Sequence, residues 1–362
     1  MDIGDHPPAV ARPPTEFALT LLPRPGEGFA PVCRRLAAAL EEREAQILKM
    51  AVFGALDACE DGLRALRESL GEIAWPLTWV EGLSCQDTPI AGVQVLALSG
   101  GAVKRVSLEG RVVGSVFEDG EVRHCLLGGV GPRETTLRRP DQAVQALEGL
   151  ERALFDAGFT LGDLARTWFF NEDILAWYGA FNRVRTAHYA GAMFRTGSLP
   201  ASTGVAGRNP AGAALTIDAW AVRPLNSSAR VVEVASPLQC PAPAYGSSFS
   251  RAMEISSGGR RRLLVSGTAS IALNGRTVWP GDVRRQIERT MEVVAEILSS
   301  RGLDFGHATR AVAYFKHPGD TDVFEAWRKG HGLEALPVVA VQGDICREDL
   351  LFEIELDACA AE

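Results

Sequence analysis

The 362-residue sequence lacks an excess of basic residues, since 37 Lys and Arg stand against 45 Asp and Glu, a formal net charge of −8. Proteins that bind nucleic acids neutralise phosphates with clustered Lys and Arg side chains. The one dense basic run, three arginines at 260–262, lies between two glycines and an apolar segment, which is typical of a solvated hairpin end. The sequence therefore predicts no nucleic-acid partner.

Long apolar runs are also missing. No segment approaches the roughly 20 consecutive apolar residues needed to cross a bilayer, so no membrane partner is expected. The first 17 residues, MDIGDHPPAVARPPTEF, are acidic and proline-rich, without the basic-then-apolar order of a signal peptide. They predict a flexible leader on a cytoplasmic protein.

The cysteines show no spacing typical of a disulfide framework or a metal site. The seven cysteines are scattered, with no CxxC pair and no Cys/His cluster at zinc-ligand spacing. Free thiols in a reducing compartment, and no metal site, are the expectation. Six of them are expected to be packing residues, and Cys346 is a candidate for a functional role.

A repeat organises the sequence. AGFTLGDLARTWFF in the first copy (157–223) matches RGLDFGHATRAVAYF in the second (301–357), and each copy continues through a helical stretch to Leu-Pro and an apolar closing segment. From Leu-Pro onward the copies align without a gap, which pairs Asp218 with Glu355. Six extra residues within AGAMFRTGS follow the helical stretch of the first copy. Two copies of one unit are therefore present, the first with an insertion.

The apolar spacing predicts the fold class. Apolar residues recur every three or four positions over 141–157 and 282–301, which indicates amphipathic helices, and a short apolar strand precedes each. Each copy thus predicts strand–helix–strand–helix–strand, an α+β unit whose helices pack on one face of a sheet. The first ~100 residues contain a further strand–helix–strand pattern. That piece is either a partial third unit or an extension of the first sheet.

These patterns divide the chain into four predicted segments. An N-terminal leader and helix occupy 1–44, and an N-terminal unit with the extra strand–helix–strand piece occupies 45–225. A linker at 226–236 precedes the C-terminal catalytic unit at 237–362.

The repeated unit resembles the YjgF/Rid family, which has a chorismate-mutase-like fold. The residues that carry the resemblance are the Ser-Gly-Thr strand, the Leu-Pro pair and the closing Glu-Ile-Glu, and Rid proteins are small trimers with clefts between subunits. Two fused units with LPASTGV, SSFSRA, SGTASI and CREDLLFEIE resemble the chorismatases in particular, over about residues 45–358. The resemblance implies a pseudo-trimer-like monomer that cleaves chorismate to pyruvate and a ring carboxylate, without metal or organic cofactor.

One departure bears on a competing activity. Rid proteins that hydrolyse imines carry an Arg one or two residues after the Leu-Pro proline, and it binds the substrate carboxylate. Here those positions are Ala201 and Ser202 in the first copy and Val338 and Val339 in the second. The carboxylate contact must therefore come from elsewhere, and Arg195 in the insertion is a candidate.

Glu353 is the candidate general acid. It shares a strand face with Glu355, because side chains alternate along a strand, and apolar residues flank it. Partial desolvation is expected to raise the pKa of its carboxyl toward neutrality, so that it could protonate the vinyl methylene carbon of chorismate. The repeat places Thr216 opposite Glu353, which predicts one active and one inactive site. A solvated glutamate on an edge strand is the alternative.

Cys346 precedes Glu353 by seven residues, and Asn209 takes its place in the first copy. The chorismatase resemblance implies that a Cys here marks members that form a benzoate, whereas a small residue marks the hydrolytic member. The thiol would exclude water, or would react as a thiolate if its pKa were depressed. Buried packing is the alternative.

The remaining candidates are expected to line a pocket between the two halves, between the closing strand at 350–356 and the strand at 266–268, with 189–204 as its cover. An arginine and backbone amides or hydroxyls suit a dicarboxylate ligand. Arg166 and Arg310 occupy matching repeat positions, so a structural role is expected for them. The candidate binding residues are Arg195, Tyr189, Ser202, Thr203, Gly204, Arg251, Gly267 and Thr268.

The sequence thus predicts an enzyme that converts chorismate to pyruvate and 3-hydroxybenzoate, with some 4-hydroxybenzoate as a possible second product. The alternatives are a chorismate hydrolase that forms the trans-dihydroxycyclohexadiene carboxylate and a Rid-type imine or enamine hydrolase. A non-catalytic module that binds a small carboxylate is a third.

Overall fold

The computed structural model describes residues 14–85 and 88–361. The expected leader lies outside the described residues up to residue 13, and its last residues enter the first strand. Within the described ranges, no helix is both long and apolar enough to cross a membrane.

The first unit, residues 15–99, has a four-stranded sheet in the order β1-β5-β2-β3. Its two helices pack on a core of its own that includes Leu36, Leu66 and Trp79. Its elements are β1 (Thr15–Leu21), α1 (Phe29–Glu42), β2 (Ala45–Gly54), α2 (Cys59–Leu70), β3 (Leu77–Glu81), β4 (Leu83–Ser84, which joins the third sheet) and β5 (Ile90–Ser99).

The second unit, residues 104–224, has a six-stranded sheet in the order β10-β9-β11-β8-β7-β6. Both of its helices contribute to one core beneath the sheet, through residues such as Leu147 and Phe181. Its elements are β6 (Lys104–Leu108), β7 (Arg111–Glu118), β8 (Val122–Val130), α3 (Arg139–Asp156), β9 (Leu164–Asn171), α4 (Ile174–Tyr189), β10 (Ala201–Ala206) and β11 (Leu215–Pro224).

The third unit, residues 230–361, has its strands in the order β12-β13-β14-β17-β15-β16, and β4 extends the β16 edge. Asp282 caps α5 by accepting a hydrogen bond from the Arg285 backbone N–H at 3.0 Å. Its elements are β12 (Arg230–Val234), β13 (Ala252–Ser257), β14 (Arg260–Ala269), α5 (Val283–Ser299), β15 (Ala308–Phe315), α6 (Thr321–Gly330), β16 (Val338–Gln342) and β17 (Phe352–Ala361).

All three sheets repeat one arrangement of four strands. β1, β2, β3 and β5 are connected and paired as β8, β9, β10 and β11 are, and as β14, β15, β16 and β17 are. Residues 15–99 therefore form an additional unit with its own sheet, which was one of the two alternatives predicted from the sequence, and do not extend the sheet of residues 104–224. The expected boundary at residue 45 falls inside this sheet, because β1 pairs with β5 along its whole length. Residues 230–234 of the expected linker form the edge strand β12.

The three units surround a pseudo-threefold axis. The third strand of each unit lies against the next unit: β3 against β8, β10 against β14, and β16 against β5. A shared apolar core fills the centre with residues from every unit, for example Leu48, Trp168 and Val312. The chain thereby builds three inter-unit junctions within one polypeptide.

Buried polar contacts close the three junctions in a cycle. Each cation comes from the second strand of one unit, and each acceptor comes from the last strand of another. The three contacts are Lys49 Nζ to Asp218 Oδ2 (2.6 Å), Arg166 Nη2 to Glu355 Oε2 (2.8 Å) and Arg310 Nε to Gln94 Oε1 (2.8 Å). Gln94, Asp218 and Glu355 occupy equivalent positions on β5, β11 and β17.

An indole lies among the three cations. The Trp168 ring centroid is 4.8 Å from Lys49 Nζ, 4.7 Å from Arg166 Cζ and 5.4 Å from Arg310 Cζ, within the range of cation–π attraction. Arg310 also pairs with Asp357 at 2.8 Å. We call Trp168, its three cations and their four partners (Gln94, Asp218, Glu355 and Asp357) the axial cluster. The predicted structural role of Arg166 and Arg310 corresponds to their place in this cluster.

Candidate active site

A cavity of about 690 Å³ lies at the junction between the second and third units. Strands β10, β14 and β17, helix α4, and the segments at 245–251 and 346–347 form its walls. Glu353 and Gly267 line it on the β17–β14 side, as the sequence predicted. Helix α4 and residues 245–249 line it as well, and of the predicted covering segment 189–204 only Ala190, Ser202 and Gly204 do so.

Glu353 faces this cavity with an unpaired carboxyl. Its side chain is 5% exposed, and it makes no hydrogen bond or ion pair with any described residue. Burial raises the pKa of Glu353 to about 8, and the neighbouring Glu355 charge adds to the rise, while Arg166 and Arg251 oppose it. Glu353 is therefore a carboxylic acid at neutral pH, able to donate a proton.

Gly267 makes room for this carboxyl. A Cβ atom at position 267 would overlap Glu353 Oε1 and come within 3.2 Å of Thr203 Cγ2. The glycine sits where the β14–β17 register shifts, between Val265 and Thr268. The irregularity and the missing side chain together leave the space that Glu353 occupies.

Glu355 lies two residues further along the same strand face, and its carboxyl is ionised and paired, whereas that of Glu353 is neutral and unpaired. Arg166, Arg310 and the Thr203 hydroxyl all donate to its oxygens. Burial alone would raise the pKa of Glu355, but the guanidiniums of Arg310 and Arg166 hold it below its ordinary value. The strand therefore presents one neutral acid to the cavity and one fixed carboxylate behind it.

Cys346 lines the cavity as a neutral thiol. Burial raises its pKa to about 12, and the Glu353 charge contributes. The depressed pKa that a thiolate role would need is therefore absent, because the opposing effects of Arg347 and Arg185 are smaller than that of burial. Its remaining roles are to fill space and to exclude water.

Besides the exposed Arg183, three arginines line the cavity, and none of them has a carboxylate partner among the described residues: Arg185, Arg251 and Arg347. Neutral acceptors hold each in place. Arg251 donates to the Cys240 carbonyl at 2.9 Å, Arg347 to the Gly275 carbonyl at 2.8 Å, and Arg185 to Asn182 Oδ1 at 2.7 Å. Fixed cations with spare donors suit an anionic ligand.

Sequence reasoning missed two of these arginines and both cavity tyrosines, Tyr178 and Tyr245. Arg185 lies inside α4 at a position where the repeat has Arg328, so nothing in the alignment marks it. Arg347 follows Cys346 directly, and that adjacency is the signal that could have found it. Burial raises the pKa of both tyrosines, so each presents a phenol.

Of the eight predicted binding residues, four line the cavity, one lies directly behind its wall, and three lie elsewhere. Ser202, Gly204, Arg251 and Gly267 line the cavity, and Thr203 lies behind it, where its hydroxyl accepts from the Gly267 N–H at 3.0 Å.

Arg195, Tyr189 and Thr268 are the three predicted residues that do not line the cavity. Arg195 pairs with Asp163 at 2.5 Å, with its side chain 58% exposed, because the insertion folds back on the turn before β9. Tyr189 is buried in the core of the second unit, and the Thr268 hydroxyl donates to the Ser266 carbonyl. The predicted carboxylate contact through Arg195 is therefore wrong.

No group of three or more His, Cys, Asp or Glu side chains in the described chain is arranged to hold a metal ion.

Comparison with known proteins gives a sequence relative and a structural match over nearly the whole chain. No family model matches the sequence. The chain is 28% identical over 216 residues to 3-hydroxybenzoate synthase from Streptomyces hygroscopicus, a match that covers 54% of this chain and 60% of the relative, less than two thirds of its length. A crystal structure of chorismatase superposes with a TM-score of 0.70 at 20% identity, over 95% of this chain and 98% of the other. The protein has the chorismatase fold.

That match confirms the α+β fold built from fused units. A single YjgF protein from E. coli matches 35% of this chain and 96% of its own, at 20% identity and a TM-score of 0.28. In the chorismatase-fold chain, the unit topology itself occurs three times, once in each sheet.

The raised pKa of Glu353 predicts how stability depends on pH. The folded state keeps the Glu353 proton up to about pH 8, whereas the unfolded chain releases it near its ordinary value of 4.5, so this group makes stability fall as pH rises between those values. Glu353→Gln removes the effect. We expect the variant to exceed wild type in free energy of unfolding by at least about 1 kcal/mol at pH 8, and the difference to vanish near pH 4.

Denaturant titrations at both pH values measure this difference. Glu292→Gln, at a glutamate on α5 whose side chain is 57% exposed, is the control and should change neither value. A pH-independent difference between Glu353→Gln and wild type would mean that Glu353 is ionised in the folded protein.

Proposed function

We propose that the protein cleaves chorismate, releasing pyruvate and forming 3-hydroxybenzoate. The observation that carries the proposal is a neutral, unpaired Glu353 in a cavity lined by three buried or half-buried arginines that no described carboxylate neutralises. The relative named 3-hydroxybenzoate synthase and the chorismatase of the same fold support this choice of substrate.

Chorismate fits the chemistry of the cavity walls. It is a dicarboxylate with a six-membered ring and an enolpyruvyl ether, and about 690 Å³ is ample for a molecule of this size. Arg185, Arg251 and Arg347 offer charge-assisted hydrogen bonds to its two carboxylates. The apolar side chains of Phe249, Ala269 and Ile271 also line the cavity and suit the ring.

Glu353 supplies the proton that starts the reaction. Transfer to the vinyl methylene carbon makes the methyl group of pyruvate and leaves positive charge at the ether-bearing carbon. The Glu353 carboxylate formed in this step lies in the field of Arg166 and Arg251, which stabilises it. The proton that the ring loses on aromatisation can restore the acid.

The product depends on what reaches the activated ether. Chorismate has the atoms of pyruvate plus a hydroxybenzoate, so the aromatic route has no net demand for water, whereas hydrolysis to the diol consumes one molecule. The neutral thiol of Cys346 is a poor hydrogen-bond partner for water. It favours the route in which the ring's own 4-hydroxyl takes part, with some 4-hydroxybenzoate possible.

The competing functions lack support of this kind. A Rid-type imine hydrolase would use an arginine directly after Leu-Pro, where Ala201, Ser202, Val338 and Val339 stand. A passive carboxylate-binding module gives no reason to bury an unpaired Glu353 against a cation-lined cavity.

The assembly and location follow from the same architecture. Three units in one chain occupy the three positions around the axis that separate subunits fill in a trimer, so we propose that the protein works as a monomer. A chorismate-cleaving enzyme with free cysteines suits the cytoplasm. No nucleic acid or cofactor takes part in the proposed reaction.

The general-acid role predicts the effect of one substitution. Glu353→Gln keeps the shape of the side chain but has no acidic proton, so pyruvate release from chorismate should fall by at least about 100-fold. Chorismate binding, measured by calorimetry, should stay within about threefold of wild type, because the cavity arginines are untouched. Pyruvate is measured by a coupled lactate dehydrogenase assay.

Thr216 occupies the equivalent position in the second unit, so Thr216→Val is the matched control and should retain activity. Unchanged pyruvate release by Glu353→Gln would remove Glu353 from the mechanism. Wild-type protein that binds chorismate without releasing pyruvate would favour the binding module.

Cys346 predicts a change of product. Cys346→Ala opens space for water beside the activated ether, so the output should shift from 3-hydroxybenzoate toward the non-aromatic diol. Cys240→Ala is the control, since Cys240 is not among the lining residues and should leave the product ratio unchanged. Chromatographic separation of the ring products measures the ratio. A wild-type protein that forms only the diol would show that the thiol does not exclude water.

A further inference from the structure

We propose that Glu355 is a positioning residue for the acid, because the axial cluster fixes its negative charge behind Glu353, where that charge acts together with burial to hold the Glu353 proton. The catalytic consequence rests on the proposed function. The charge arrangement does not, because it is a property of the free protein.

The contacts of Glu355 fix both the position of its side chain and its ionised state. It is 1% exposed, and donors from three strands hold its two oxygens: Arg166 from β9, Thr203 from β10 and Arg310 from β15. Glu353 lies two residues away on the same face of β17, about 7 Å along the strand. At that distance inside a protein, a fixed like charge strongly disfavours ionisation of its neighbour.

The charges of the axial cluster balance without any contribution from Glu353. The cluster holds three cations and three carboxylates: Lys49, Arg166 and Arg310, with Asp218, Glu355 and Asp357. An ionised Glu353 would add a fourth carboxylate beside this balanced set, in a buried environment where uncompensated charge is costly.

The other groups that face Glu353 offer no second anion. Arg166 is committed to Glu355, and Arg251 is held by a backbone carbonyl. The groups around Glu353 are Arg166 on β9, Tyr314 on β15, Tyr178 and Arg185 on α4, Arg251 before β13, Cys346 before β17, and Glu355 on β17. Burial keeps both tyrosines and the thiol protonated, so Glu355 supplies the only negative charge among these described neighbours.

A break in the pseudo-threefold pattern directs a second arginine to Glu355. The positions of Asp218 and Glu355 correspond to Gln94 in the first unit, where the acceptor is neutral. Arg310 therefore meets only an amide across its junction and turns its remaining donors to Glu355 and Asp357 of its own unit. The neutral Gln94 thus allows two arginines to hold Glu355 as a carboxylate.

The test is a direct titration of Glu353 in the free protein. Infrared difference spectra against Glu353→Gln isolate its protonated carboxyl band as pH changes. Glu355→Gln should lower the midpoint from about 8 by at least about one pH unit, because the fixed charge is gone and two arginines remain. Asp357→Asn is the matched control, since it removes a carboxylate from the same strand and the same Arg310, but about 13 Å from Glu353. Its shift should be less than half as large.

Gln94→Glu keeps the inference testable even if Glu355→Gln does not fold. It adds a carboxylate to the axial cluster and keeps the acceptor of Arg310, although it removes the Gln94 Nε2 bond to the Ala311 carbonyl, so the midpoint should rise. An unchanged midpoint in Glu355→Gln, equal shifts in Glu355→Gln and Asp357→Asn, or no rise in Gln94→Glu would each overturn the inference.

Activity separates this inference from the proposed function. If Glu355 is a positioning residue for a catalytic acid, the alkaline limb of the pH profile for pyruvate release moves with the titration midpoint. A midpoint that shifts in a protein that never releases pyruvate would sink the proposed function and leave the charge arrangement standing. Pyruvate release by a protein whose midpoint does not shift would overturn the role of Glu355 and leave the proposed function standing.

Discussion

The packing of buried cations around one indole is the constraint on which the rest of the structure depends. Lys49, Arg166 and Arg310 enter the axial cluster from three different units and surround Trp168. Each reaches an acceptor on another unit, and removing Asp218 or Glu355 would leave Lys49 or Arg166 as a buried cation without its carboxylate, which is far costlier than losing a surface pair. These contacts between units join each unit to the next.

That arrangement creates three junctions between units, and one of them carries a candidate general acid. The position of Glu353 is held by Thr216 in the second unit and by Gly92 in the first. A Cβ atom at Gly92 would lie 2.9 Å from Val339, so the third unit packs directly on the first at that junction. At the junction of the first and second units, a Cβ atom on Gly129 would lie 2.7 Å from the Leu77 carbonyl. At these two junctions packing fills the space at Gly92 and Gly129, whereas the junction of the second and third units has the cavity with Glu353 in it.

The sequence predicted the fold and the site best in the two segments that repeat. The gapless alignment after Leu-Pro located β17 and separated Glu353 from Glu355, because one position is shared between copies and the other is not. The first unit was harder to recognise, since its β1 and α1 precede any segment that resembles the other two copies. Its identity as a unit appears only from strand pairing.

The errors at the site also have physical causes. Arg195 lies in an insertion beside the cleft, which favours it as a carboxylate contact, but its guanidinium pairs with Asp163, 32 residues earlier. Arg185 and Arg347 are ordinary arginines in sequence, and they become notable only because the fold leaves them facing a cavity without a carboxylate partner in the described chain. Long-range pairing of charges is set by packing, which a single sequence does not display.

The most direct measurement is a crystal structure of the Glu353→Gln variant with intact chorismate. The account predicts one ligand per chain, in the cavity between the second and third units, with its carboxylates on the cavity arginines. The vinyl methylene carbon should lie within about 3.5 Å of the side-chain amide at position 353. Chorismate bound at another junction, or in this cavity with its methylene carbon turned away from position 353, would contradict it.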